Sequence, residues 1–235
     1  MAIAYDNAAS TSSAANVASL TTASWTISGS DRILMAGVMS GAGTPVSPNA
    51  VKWGGSGGTA LTQKGSTLSF RTFGRVSQWY LIAPTASSDT LYCSWASNQD
   101  ETALGGASYT GVDQSTPHGT QATATSDAGS QDPTVNVSSA SGELVVDVAA
   151  ILDENGARTT LTVGASQTAR VDIDQVGGAA YESFGMSEEA GAGTVTMSWT
   201  GLNSILNVGW GILGVPLKPV SATTGSPWYY YAQQG

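Results

Sequence analysis

The chain is poor in charge. Only 11% of its 235 residues are Asp, Glu, Lys or Arg, less than half of the roughly one quarter usual in globular domains. Long amphipathic helices need such residues for their wet face, so a helical fold is disfavoured. The eight basic residues are scattered, against seventeen acidic ones and a net charge of −9. No Lys/Arg cluster marks a nucleic-acid surface. A single cysteine, Cys93, excludes an intrachain disulfide. It alternates with Leu91 and Trp95, the position of a buried small hydrophobe rather than of a nucleophile. The single histidine, His118, follows Thr116-Pro117 in a polar stretch, and no Gly-x-Ser-x-Gly elbow accompanies it. One histidine and one cysteine cannot build a zinc or copper site alone. No run of about 18 apolar residues is present to span a membrane. The first twenty residues lack the basic start and apolar core of an export signal, so the expected route is synthesis in a cell and release by lysis.

What is present instead is 29 glycines, seven tryptophans and a 41% hydrophobic fraction, too apolar for disorder. Apolar residues recur with period two, as in strands with one buried face. Residues 71–95 carry this pattern most strongly and read as two strands joined by a short turn at Ala83-Pro84-Thr85. Trp79 and Leu81 lie on one face, with Leu91, Cys93 and Trp95 in the second strand. Arg32 to Ser40 is almost continuously apolar and reads as a buried strand. Glu143 to Leu152 and Thr194 to Thr200 alternate. Asn203 to Leu217 holds a strand pair or one long bent strand. Gly54-Gly55-Ser56-Gly57-Gly58 reads as a flexible turn between strands, and it lacks the lysine, hydroxyl and helix of a phosphate loop. Asp153-Glu154-Asn155-Gly156 is a turn signal. About a dozen strands without a repeat of fixed period predict an all-β antiparallel two-sheet sandwich of jelly-roll or Greek-key type, with an immunoglobulin-like order next.

Three regions follow: residues 1–20 as an N-terminal arm or edge strand, 21–219 as the sandwich, and 220–235 as a linker with an aromatic tail. Trp228, Tyr229, Tyr230 and Tyr231 form a cluster typical of contact anchors, since Tyr and Trp dominate interface hot spots. Tyr5 is the candidate contact residue at the other end. Trp25, Trp79, Trp95, Trp199 and Trp210 fit the core, whereas Trp53 beside the glycine run is a candidate exposed ring.

Carboxylates offer weaker sites. Asp172 and Asp174 share a strand face, and Asp153-Glu154-Asn155 sits in a turn; either is a possible source of calcium ligands. Asp100-Glu101 and Glu188-Glu189 are adjacent pairs assigned to loops as solubilising charge. A glycosidase needs two carboxyls across a gap, which adjacent residues seldom provide.

The stretches SDRILMAGVMS, VKWGGSGGTALTQKG, SQWYLIAP, ASYTGVDQSTPHGT, GELVVDVAAIL, VTMSWT and WGILGVPLKP occur in order between about residue 24 and residue 219. Together they resemble a β-sandwich family found in tailed-bacteriophage virion proteins and in some bacterial extracellular proteins. The resemblance implies a jelly-roll-like sandwich used for display or attachment, without a catalytic residue to carry over. The expected role is a non-enzymatic capsid decoration protein without a cofactor. Its expected partner is the major capsid protein or another virion protein, in a homo-oligomer located in the virion. The alternative is a carbohydrate-binding or receptor-binding module, with a glycan as ligand.

Overall fold

The computed structural model describes residues 1–127, 132–153, 161–174, 176, 181–201 and 208–221. Up to residue 110 the strands are β1 (Ala4–Ser13), β2 (Val17–Thr21), β3 (Trp25–Thr26), β4 (Ile33–Gly41), β5 (Pro48–Trp53), β6 (Thr59–Ala60), β7 (Thr62–Phe70), β8 (Gly74–Ile82), β9 (Ser88–Asp89), β10 (Leu91–Gln99) and β11 (Glu101–Thr110). From residue 122 they are β12 (Ala122–Ser126), β13 (Thr134–Ser138), β14 (Leu144–Asp153), β15 (Thr162–Val163), β16 (Thr168–Ile173), β17 (Tyr181–Ala190), β18 (Thr194–Thr200) and β19 (Val208–Leu217). A short 3-10 turn, Gly55–Gly57, lies between β5 and β6. Every strand pairing among the described residues is antiparallel.

The expected β-sandwich is present, and it is built twice. The first half pairs a five-stranded sheet, β1-β11-β4-β8-β7, with a smaller one, β2-β10-β5-β6. The second half repeats that order strand for strand, as β12-β19-β14-β17-β16 over β13-β18-β15. Counting strands within a half, with β6 and β7 as one bent strand, both large sheets run first-eighth-third-sixth-fifth. Both small sheets are built on second-seventh-fourth. This is a jelly-roll order. The β3–β9 bridge is an addition of the first half without a counterpart among the described residues.

The two large sheets pack against each other, so the molecule has four layers. Alternation in β4 shows how. Ile33, Met35 and Met39 point into the central core, where they meet Val148, Phe184, Met186 and Leu213 of the second half. Leu34, Ala36 and Val38 point the other way, toward Trp53, Leu91, Cys93 and Trp95 of the first small sheet. In β14, Val146, Val148 and Ala150 face the centre, whereas Val145, Ala149 and Ile151 face Val137, Met197 and Trp199. An antiparallel sheet usually wets one face. These two are dry on both, which explains why RILMAGVMS is apolar without alternating.

A pseudo-dyad relates the halves across the central core. β1 lies over β16, and β7 lies over β12. Gly105 of β11 abuts Phe184 and Val171, while Gly211 of β19 abuts Val76 and Phe70. The eighth strand of each half thus offers a glycine to the sixth and fifth strands of the other. This is the self-complementary geometry of an isologous dimer, made within one chain.

Two expectations change. Residues 71–95 do not form a hairpin, because β8 belongs to the large sheet and β10 to the small one. Their apolar faces meet across the sandwich, where Trp79 joins Leu91, Cys93 and Trp95 in one core. The region 188–193 is not wholly loop either, since β17 runs on to Ala190. Asn155-Gly156 lies outside the described residues.

Candidate functional site

The connection between the halves is stitched to the chain that leaves β19. Val112 bridges Pro219 and His118 bridges Leu217. Asp113 N donates to Lys218 O, and Val220 N donates to Gly111 O. The amino group of Met1 donates to Val220 O at 3.3 Å, so these two distant positions in sequence are neighbours.

His118 is half-buried rather than a solvated loop residue. Its ring stands edge-on to Tyr80 at 4.6 Å, and Lys64 Nζ lies 3.0 Å from Nδ1. An ammonium can only donate, so Nδ1 accepts and the proton sits on Nε2. Burial and the Lys64 charge hold the imidazole below its ordinary pKa. Nearby, Gln121 Nε2 donates to Gln78 Oε1 at 2.8 Å, and Gln78 Nε2 reaches Val146 O at 3.3 Å. These groups carry hydrogen bonds across the central seam.

A second polar group forms where β1 meets β16 and β17. Tyr5 and Tyr109 meet edge-to-face at 6.2 Å, and the Arg170 guanidinium lies 3.8 Å from the Tyr5 ring centre. Arg170 is ion-paired with Glu188, and its hydrogen bond to that carboxylate raises its pKa further. Tyr5 is therefore engaged inside the chain. Glu188 is buried and paired, not a solubilising loop charge. Trp228, Tyr229, Tyr230 and Tyr231 lie outside the described residues.

The remaining carboxylates are spread out. Asp174 Oδ1 accepts from Leu161 N at 2.9 Å, and Asp172 beside it is exposed. Asp100 Oδ1 accepts from Asn16 Nδ2. Among the described residues, no three of His, Cys, Asp or Glu converge as metal ligands. Glu154 and Asn155 lie outside them. Cys93 is fully buried, and burial pushes its thiol well up. Asp147 is the group that sequence reasoning missed. It is fully buried on β14, where Oδ1 accepts from Ser187 N at 2.7 Å and Ser187 Oγ at 2.9 Å, and Oδ2 accepts from Trp199 Nε1 at 2.9 Å. Burial outweighs those donors and lifts its pKa to about 7. Its place in the alternating stretch ELVVDVAAIL, among apolar neighbours on its own face, was the available signal.

A depression of about 390 Å³ opens at the outer end of the first sandwich. Gly54, Gly57, Gly58, Ser87 and Asp89 line it together with Trp53. Trp53 is buried, at 3% exposure, against the expectation of an exposed ring, and meets Trp25 edge-on at 5.0 Å. Three hydrogen bonds brace the glycine turn. Lys52 Nζ donates to Ser56 O at 2.7 Å, Gly54 N donates to Thr90 O at 3.0 Å, and Gly58 N donates to Gly55 O at 3.1 Å. Gly54 has φ 100° and Gly55 φ 70°, which side chains rarely adopt. Asp89 Oδ1 accepts from Thr90 N at 2.9 Å.

No protein-family model matches this chain, and no curated protein matches it.

Proposed function

We propose that this chain is a non-enzymatic structural protein of a bacteriophage particle, a capsid decoration protein that binds the major capsid protein or another virion protein. The single observation that carries the reading is the fusion of two jelly rolls through a dry central core. Fusion gives a rigid four-layer block whose outer strands β1, β7, β12 and β16 border its two large sheets. Such a block suits repeated attachment, because it binds without first ordering itself and so avoids that entropy cost. The sequence stretches that resemble phage virion sandwiches point the same way. Attachment works through the segment that departs beside Met1 and Val220, with Trp228, Tyr229, Tyr230 and Tyr231 as apolar anchors. Repetition of one contact around a symmetric shell then multiplies a modest interface.

The test is particle association. Intact particles purified from a lysate are expected to contain the protein at a fixed ratio to the major capsid protein. Removal of residues 228–235 is expected to lower occupancy at least tenfold while leaving the melting temperature unchanged. Full occupancy of the truncated chain would remove the anchor. Absence of the protein from particles would remove the virion role.

A further inference from the structure

The depression beside Trp53 has features without a counterpart among the described residues of the second half. In the first half, residues 83–90 link β8 to β10 and supply Ser87 and Asp89. The equivalent link between β17 and β18 is only residues 191–193. The turn equivalent to the glycine run lies between β15 and β16, at residues 164–167, and there a side chain closes it. Gln167 Oε1 accepts from Ser198 N at 2.8 Å, and Gln167 Nε2 donates to Ser187 Oγ at 2.7 Å. An open end on one half therefore contrasts with a filled one on the other.

The chemistry of the open end is specific. Asp89 Oδ1 is held by Thr90 N, which fixes the carboxylate. Among the described residues Oδ2 makes no hydrogen bond, and it lies 3.5 Å from where a Cβ on Gly54 would stand. Nothing lies within 4 Å of a Cβ on Gly57, so the backbone is approachable there. Ser87 adds a hydroxyl. The carboxylate repels anions. One carboxylate falls short of the six to eight oxygens a calcium ion takes. The oxygen-rich lining disfavours an apolar guest. Trp53 is too deeply buried to offer its ring face, so stacking is not the means of recognition. A neutral molecule with several hydroxyl donors, able to approach backbone closely, fits this lining.

We propose that the Gly54–Gly58 turn and Asp89 form a binding site for a hexose unit of a glycan, with Asp89 Oδ2 accepting from sugar hydroxyls and the glycines admitting the ring to the backbone. The volume lies within the range of about 300–1,000 Å³ typical of small-ligand sites. This site goes beyond particle attachment and stands whether or not the protein is found on virions.

The test uses the full chain, labelled with ¹⁵N and titrated to millimolar concentration with methyl glycosides of glucose, galactose, mannose and N-acetylglucosamine, without and with Ca²⁺. At least one glycoside is expected to give saturable shifts at the amides of Gly54, Gly57, Gly58 and Asp89. Asp89→Asn keeps an oxygen for Thr90 N and replaces only the free acceptor. It is expected to weaken binding at least tenfold with an unchanged melting temperature, and Ser87→Ala to weaken it a few-fold. No saturable shift with any glycoside, shifts confined to another surface, equal affinity in Asp89→Asn, or shifts from Ca²⁺ alone would each overturn the proposal.

Discussion

Asp147 shows how one buried group sets a pH dependence. Its folded pKa of about 7 lies above the ordinary carboxylate value of 3.8. The folded state therefore holds a proton that the unfolded state releases between those values. Its contribution to stability is complete below about pH 4 and is lost as pH rises through 7, with a slope of up to about 1.4 kcal/mol per pH unit. Asp147→Asn is expected to abolish that slope. It also sets an amide N–H₂ against Trp199 Nε1, at a cost of about 1–3 kcal/mol for the lost pairing. Urea midpoints from pH 4 to 8 are the measurement: the advantage of wild type over Asp147→Asn should shrink as pH rises. A constant gap would show that Asp147 does not titrate in this range. His118 makes a contrasting case. Its half-burial and the Lys64 charge hold its pKa down, and it enters the seam as an acceptor, through Nδ1.

At the scale of strands, the close approach of the two large sheets depends on missing side chains. A Cβ on Gly211 would stand 2.8 Å from Val76, and one on Gly105 would stand 3.0 Å from Phe184. Gly211→Ala and Gly105→Ala are each expected to destabilise by about 1–3 kcal/mol, the usual cost of overpacking. Gly193→Ala, where a Cβ meets nothing within 4 Å, should be near neutral. Denaturant midpoints separate the three; equal midpoints would mean that the sheets separate easily. The strand pattern was legible in sequence because period-two alternation survives wherever one face differs from the other. The alternation of Thr194–Thr200 coincides with β18 at both ends. The double sandwich was not legible. Dyad-related strands carry chemically different residues, so that Gly105 of β11 meets Phe184 and Val171 whereas Gly211 of β19 meets Val76 and Phe70, and only strand order preserves the repeat. The pairing of residues 71–95 is not legible either, for a related reason. Alternation shows which face of a strand is dry, not which sheet the strand joins. The depression was hidden because Trp53, judged by its glycine neighbours, is covered by Trp25 from a separate segment.

For the whole molecule, the central core decides cooperativity. Residues from both halves, including Met35, Phe70, Phe184 and Leu213, pack in one cluster. The segment after β19 also returns to pair with the link between the halves. Unfolding of one sandwich would strip an apolar face from the other. Denaturant unfolding is therefore expected to be a single transition, superimposable by tryptophan fluorescence and far-UV circular dichroism. Two resolved transitions would mean that each sandwich stands alone. The pseudo-dyad has one more consequence. In an assembly of two identical subunits, every substitution is written twice, and a change that suits one copy must suit its twin. Here each position is written once. One lobe is at liberty to drift toward a new task while its counterpart keeps the shared scaffold intact, and the contrast between an open corner and one plugged by Gln167 is what such divided labour would leave behind.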